Sequence, residues 1–555
     1  MKKTFFLIIL FLSLVLFEAR AGGAIDFTPH GTQPGLSFSI EASSKCHGCH
    51  AGGDVADDKI NMPYLTWVGS MKANATRDPL FWAALDVANN DFPGVGDFCL
   101  KCHAPEAWFK GNVVKPAVIG NPLIDGANGC ELNGSFTARH GDQNDYGGVT
   151  CHFCHRMDEN GPNGEAQITQ NGDVWIDDQS CDNGGFGPCR KGPYSYPDFN
   201  TPPHAWEHST FLSSSETCGS CHNVSSPEVL QNGVLSPIQK LIDNGVETNI
   251  AMPVERTYSE WQNSYFSDLI YRDGLDPQLS GDLPLIAQGE TCQNCHMPQS
   301  ESDEARACIF DGLDQDENGR RKGNLRTHQF AGGNTWIPQV IKALYGDELD
   351  DDEDGRNEAF DLTTSYAFNM LQNNSALIDT TVTSQTTDQL DVNVRVTNLT
   401  GHKLPTGYPE GRRMWINVVA SDANNQVFWE SGAYDVATGV LTEDAQIKVY
   451  ESLQGIWNPA ADNGNGLCEV TDGGGDKMFH FVLNNCVRKD NRIPPLGFTG
   501  ANNIEMKPVG ITYPTHPDNP DQVVNYDITP YQIPVTGVTG PISLEVVLKY
   551  QIASK

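Results

Sequence analysis

Five copies of Cys-x-x-Cys-His constrain this chain more than any other feature: Cys46–His50, Cys99–His103, Cys151–His155, Cys218–His222 and Cys292–His296. In each, two thiols one helical turn apart can add to the two vinyl groups of a haem, and the adjoining imidazole then reaches the iron as axial ligand. Scattered structural cysteines or zinc knuckles do not repeat this order five times in a chain with 16 Cys and 15 His. The motifs predict five haems c held by Cys46, Cys49, Cys99, Cys102, Cys151, Cys154, Cys218, Cys221, Cys292 and Cys295. The proximal ligands are then His50, His103, His155, His222 and His296.

The N-terminus addresses compartment. Lys2 and Lys3 precede an apolar run from Phe5 to Phe17, and Ala19-Arg20-Ala21 offers a small-residue cleavage site, so residues 1–21 read as a signal peptide. That run is too short to cross a bilayer core of about 30 Å, and no later stretch is long and apolar enough to do so. An exported protein, periplasmic or extracellular and without a membrane span, is expected. Six cysteines lie outside the motifs, and an even remainder in an exported chain favours disulfides. Cys181 with Cys189, across a Gly-rich turn, is the expected local pair; Cys468 with Cys486 follows, and Cys130 with Cys308 by subtraction. A formal charge of −35 argues against nucleic acid or anionic membrane as partner and favours cationic or metal-bearing redox partner proteins.

Texture changes near residue 375. Upstream, 54 Gly and 33 Pro in the whole chain and irregular motif spacing imply a loop-rich region in which haems supply much of the core, with short helices over 73–89 and 338–345. Downstream, Leu390-Asp391-Val392-Asn393-Val394-Arg395-Val396 alternates apolar and polar residues, as do Ile542, Leu544, Val546, Leu548, Tyr550 and Ile552. The expected fold is a loop-rich, mainly α multihaem cytochrome region over 22–374, followed by an all-β, sandwich-like C-terminal domain over 375–555 that donates a haem ligand.

Five low-spin irons need five sixth ligands, and ten histidines lie outside the proximal positions. His402 sits in the Gly- and Pro-stiffened loop Thr400-Gly401-His402-Lys403-Leu404-Pro405, just after a strand, where its ring can be held outward. His328 is similarly displayed before Gly332-Gly333. His204 is preferred to His208 upstream of the fourth motif, and His30, near the mature N-terminus, can reach a haem of its own chain or of a neighbouring copy in a filament. His47 and His152 lie inside attachment loops, where they can meet only an adjacent haem. His140, His480 and His516 read as surface residues.

The run Trp67-Val68-Gly69-Ser70-Met71-Lys72-Ala73-Asn74-Ala75-Thr76-Arg77-Asp78-Pro79 resembles the Trp-x-x-Ser-x-His-Ala segment of the multihaem cytochrome superfamily that includes the nitrifiers' tetrahaem electron carrier and hydroxylamine oxidoreductase. Phe211-Leu212 through Val224, the His328 segment and the Gly401-His402 loop look like later landmarks of related exported cytochromes. The resemblance implies haem-to-haem electron transfer, with His328 and His402 as axial ligands. Where the superfamily segment often carries histidine, this chain has Lys72 after Met71. The haem concerned is then Met-ligated, Lys-ligated, served by another histidine, or five-coordinate.

Asp350-Asp351-Asp352-Glu353-Asp354-Gly355 offers a calcium loop with Asp350, Asp352 and Asp354 as ligands, and Asp314–Gly319 repeats its opening. Two functions follow from these readings: an electron carrier, alone or as a polymer passing electrons between copies or to extracellular acceptors, and, as the alternative, an oxidoreductase acting on a small nitrogen or sulfur compound at a five-coordinate haem.

Overall fold

Each attachment motif lies in, or runs out of, a short helix in the computed structural model: Ser44–His50, Gly96–His103, Cys151–Cys154, Ser215–Gly219 and Cys292–His296. The structure describes residues 36–51, 62–113, 132–137, 144–161, 169–181, 187–194, 202–231, 234–267, 291–302, 305–308, 325–349, 355–458 and 478–554, with positions 164, 166, 183, 185, 468, 470 and 471. One turn suffices at a motif, because residues i and i+3 share a helix face. At the third, Thr150 caps the turn by accepting the Phe153 amide proton at 3.3 Å.

Longer helices buttress these turns. Pro79–Asp91 starts at a proline capped by the Asp78 carboxylate, which accepts from the Leu80 amide at 2.9 Å. It packs Trp82 and Leu85 with Leu100, Trp108, Phe153 and Tyr146 in an apolar cluster that holds the second and third motifs. Arg356–Asn369 lays Ala359 against Trp67 and Val68, so the segment before Lys72 has a fixed base.

The span between the fourth and fifth motifs differs from the mainly helical expectation. Strands Glu228–Gln231 and Val234–Pro237, then Lys240–Asp243 and Val246–Ala251, form two hairpins. The second turns at Asn244 and Gly245, both with positive φ (49° and 76°), which is the conformation a two-residue hairpin loop requires.

Beyond residue 375 the described residues form two larger antiparallel sheets, beside two small pairs, Tyr434–Asp435 with Val440–Leu441 and Thr515–His516 with Asn519–Val523. Gln389–Asn398 pairs with Ala376–Gln385 on one edge and Tyr526–Pro534 on the other. In the second sheet, Arg413–Ser421 pairs along its length with Ser543–Gln551, and on its other edge with Val427–Ser431 and Lys448–Gly455. Lys448–Gly455 in turn pairs with Cys486–Asp490. Leu390, Val392, Val394 and Val396 of the first sheet share one buried cluster with Met414, Ile416, Val418 and Ala420 of the second. The two-residue period of both strands puts these side chains on one face each.

The sheets are stitched to the haem-motif region by main-chain and ionic contacts. Ile242 donates its amide to Asn485 O at 2.7 Å, and Tyr265 to Leu496 O at 3.0 Å. The Glu260 carboxylate, fully buried, accepts from the Lys403 amide and the Thr406 hydroxyl and pairs with Arg492 at 3.0 Å. Asp490 joins Arg492 and Lys403, each at 2.7 Å. Disulfides join Cys181 to Cys189 and Cys468 to Cys486; Cys130 lies outside the described residues. No helix among the described residues is long and apolar enough to cross a membrane.

Candidate haem-binding sites

Two proximal imidazoles each face a second imidazole from a distant part of the chain. His155 and His328 have ring centroids 6.2 Å apart with planes 27° from parallel; His296 and His402 are 6.4 Å apart at 19°. One metal ion bound to both rings at about 2 Å per nitrogen requires a separation of this size.

The tautomers agree with that use. His50, His155 and His296 donate from Nδ1 to the carbonyls of Ala307, Lys191 and Ala331, each at 2.6 Å, and His222 donates from Nδ1 to Glu255 Oε1 at 3.0 Å. On the opposing side, His328 donates from Nδ1 to Arg326 O at 3.1 Å and His402 to Lys403 O at 3.0 Å. A proton fixed on Nδ1 leaves the Nε2 lone pair for a metal. Burial pushes His328 down to about 3, and His296 and His103 down to about 4, so these rings are neutral at neutral pH.

Asn398 fixes the loop that presents His402. Its buried amide group donates to the carbonyls of His402, Ile493 and Pro494 at 2.8 to 3.1 Å, and its oxygen accepts from the amide and hydroxyl of Thr400. His328 is anchored through its own amide, which donates to the buried Thr66 hydroxyl at 2.9 Å.

None of the ten motif thiols is in a disulfide. Instead, thiols of different motifs meet: Cys46 with Cys151, Cys102 with Cys221, and Cys218 with Cys292, each within hydrogen-bonding reach. Cys154 lies near enough to Cys218 and Cys221 to feel their charge. First joins third, third joins fourth, and the fourth touches the second and fifth.

At the fourth motif the nitrogen facing the proximal ring belongs to a lysine: Lys72 Nζ is 3.2 Å from His222 Nε2. At the second, the Phe81 ring stacks on His103 with centroids 4.1 Å apart and planes within 8°. His204 lies close enough to His50 and His155 for their charges to bear on it, and it donates Nδ1–H to the next carbonyl, Ala205 O, at 3.1 Å, as His402 does; His208 is exposed.

Other expected ligands are placed differently. His152 accepts the Glu41 amide proton at Nδ1, at 2.7 Å, which puts its proton on Nε2, the tautomer opposite to that of His328 and His402. His47 presents its ring edge-on to Tyr64. His480, expected at the surface, pairs with Asp91 at 2.9 Å. His30, Asp350, Asp352 and Asp354 lie outside the described residues, as does the Asp314–Gly319 loop. Asp177, Cys189 and Glu207 converge, but the Cys189 sulfur is bonded to Cys181, and Lys191 is 3.1 Å from both carboxylates. Sequence reasoning missed Glu255 and Phe81, neither of which carries a local motif.

No family model and no curated protein matches the chain. Among solved structures, it is similar to the penta-haem cytochrome c552 from Thermochromatium tepidum over 93% of this chain and 92% of that one, at 17% identity and a TM-score of 0.46.

Proposed function

We propose that the chain is an exported pentahaem c-type cytochrome that carries electrons along a connected row of haems and exchanges them with redox partner proteins. The observation that carries this reading is the imidazole pairing of His155 with His328 and of His296 with His402, at separations suited to one iron each, beside thiols that touch from motif to motif. A haem held this way supplies a one-electron couple whose potential follows its axial ligands, burial and hydrogen bonding. The chain's residues fix both imidazoles of each pair by Nδ1 bonds. The acidic surface favours cationic partners and weakens their docking as salt rises.

Intact mass tests the reading. The exported protein should exceed its polypeptide mass by five haems, and Cys102→Ala should leave the haem at Cys99–His103 singly attached or lost while four persist. Three or four covalent haems in the unmutated protein would contradict the proposal.

A second reading, an oxidoreductase acting on a small nitrogen or sulfur compound, is favoured by one observation: the His103 ring is stacked face to face on Phe81 and, among the described residues, is not paired with a second imidazole as His155 and His296 are. High-spin ferric signal that disappears with one equivalent of cyanide, together with turnover of hydroxylamine, nitrite or sulfite, would promote it.

A further inference from the structure

Lys72 stands to His222 as His328 stands to His155. Its backbone is held on every side: the Lys72 carbonyl accepts the Val149 amide at 2.8 Å, beside the third motif, and Asn74 Nδ2 closes the turn by donating to Val68 O and Ser70 O at 2.9 and 2.8 Å. Gly148, with φ +66°, lies so close to the Lys72 carbonyl that a Cβ there would collide with it. The side chain runs past the Phe330 ring, Nζ 5.4 Å from its centroid, to end 3.2 Å from His222 Nε2. Because His222 donates its Nδ1 proton to Glu255, it is the Nε2 lone pair that faces the amine. Met71, the other non-histidine ligand type in this turn, packs instead against Ile337, Ile341 and Phe360.

We propose that Lys72 Nζ, as a neutral amine, is the sixth ligand of the haem attached at Cys218–His222. The inference rests on the pentahaem reading above. As the nitrogen–iron bond forms, the ammonium gives up one proton to water; no electron is exchanged. Two bonds of about 2 Å need the nitrogens about 4 Å apart, a small withdrawal for a flexible four-carbon stem. His/Lys ligation closes this iron to outside ligands and sets it apart from its bis-His neighbours.

The test uses the intact holoprotein, first verified by mass to carry five haems; fewer than five would defeat the cytochrome reading instead. Near-infrared magnetic circular dichroism of the ferric protein should show one His/amine charge-transfer band beside bis-His bands. Lys72→Ala should raise the number of high-spin haems by one and create one new cyanide site per chain, whereas Lys72→His should keep the low-spin count and convert the His/amine band to bis-His. The absence of a His/amine band from the unmutated protein overturns the proposal, even if Lys72→Ala fails to accumulate. So does a Lys72→Ala protein whose spin states and cyanide stoichiometry are unchanged.

Discussion

The rings of His155 and His328 stand 6.2 Å apart, one held by the Lys191 carbonyl and the other by the Arg326 carbonyl. Each ring is oriented by its Nδ1 bond, so two remote parts of the chain bring their imidazoles together in a fixed arrangement. Were an iron held between these rings, the fixed imidazoles would limit the rearrangement that accompanies electron exchange.

Replacing His328 by Ala should therefore convert one low-spin haem to high-spin and cost about 1–3 kcal/mol of stability, the usual range for a single substitution that removes a side chain with its bonds. Added imidazole should restore the low-spin signal. An unchanged electron paramagnetic resonance spectrum in His328→Ala would remove this residue from the ligand set. His402→Ala should behave the same way at the haem of Cys292–His296.

A second prediction concerns the ionic knot behind His402. Burial alone would push Asp490 up, but Arg492 and Lys403 at 2.7 Å hold it down, to about 2. A carboxyl depressed in the folded state lends stability above its unfolded pKa, near 4, and loses it as pH falls toward 2. Asp490→Ala strands the buried Lys403 ammonium and leaves Arg492 with Glu260 alone, and should destabilise by about 3–5 kcal/mol. Urea unfolding measures this, and loss of the His402-ligated low-spin haem should accompany it; a change under 1 kcal/mol would mean the knot is dispensable.

What the sequence made legible depended on how local the constraint is. Thioether attachment needs two thiols and an imidazole within five residues, so Cys46–His50 and its four counterparts are visible without any fold. His328 and His402 stand out as candidates because Gly- and Pro-rich loops display a side chain. Which proximal ring each one faces does not, since the meeting of His155 with His328 is made by tertiary packing. Asn244-Gly245 carries a hairpin signal, which the expectation of a mainly α region does not use. Glu255 had no pattern at all: its role exists only because Pro253–Glu255 pairs with Val224–Ser225, just past the fourth motif.

Glu255 should tune the haem at His222. A carboxylate accepting the Nδ1 proton at 3.0 Å makes the imidazole a stronger donor and favours the ferric state. Glu255→Gln removes the charge but keeps an acceptor, and the potential of that haem should rise by on the order of 60 mV, a tenfold factor for a one-electron couple. Spectroelectrochemical titration resolves this, provided one component moves and the other four stay in place. A uniform shift of all five would point to a general electrostatic effect rather than to the His222 bond.

Glu410 offers a pH dependence that leaves the haems untouched. Its carboxylate accepts the Gln454 amide at 2.5 Å, and burial raises it to about 7 in spite of that bond and the nearby Arg488. Since the folded pKa exceeds the unfolded value of about 4.3, the folded state binds the extra proton. Its contribution is complete below pH 4 and is lost as pH rises through 7, at about 1.4 kcal/mol per unit, or about 4 kcal/mol in all. Glu410→Gln, which mimics the protonated form, should match the parent near pH 4 and surpass it at pH 8. Urea midpoints at the two pH values decide the matter: parallel curves for parent and variant would show that Glu410 ionises in the folded protein as it does in the unfolded chain.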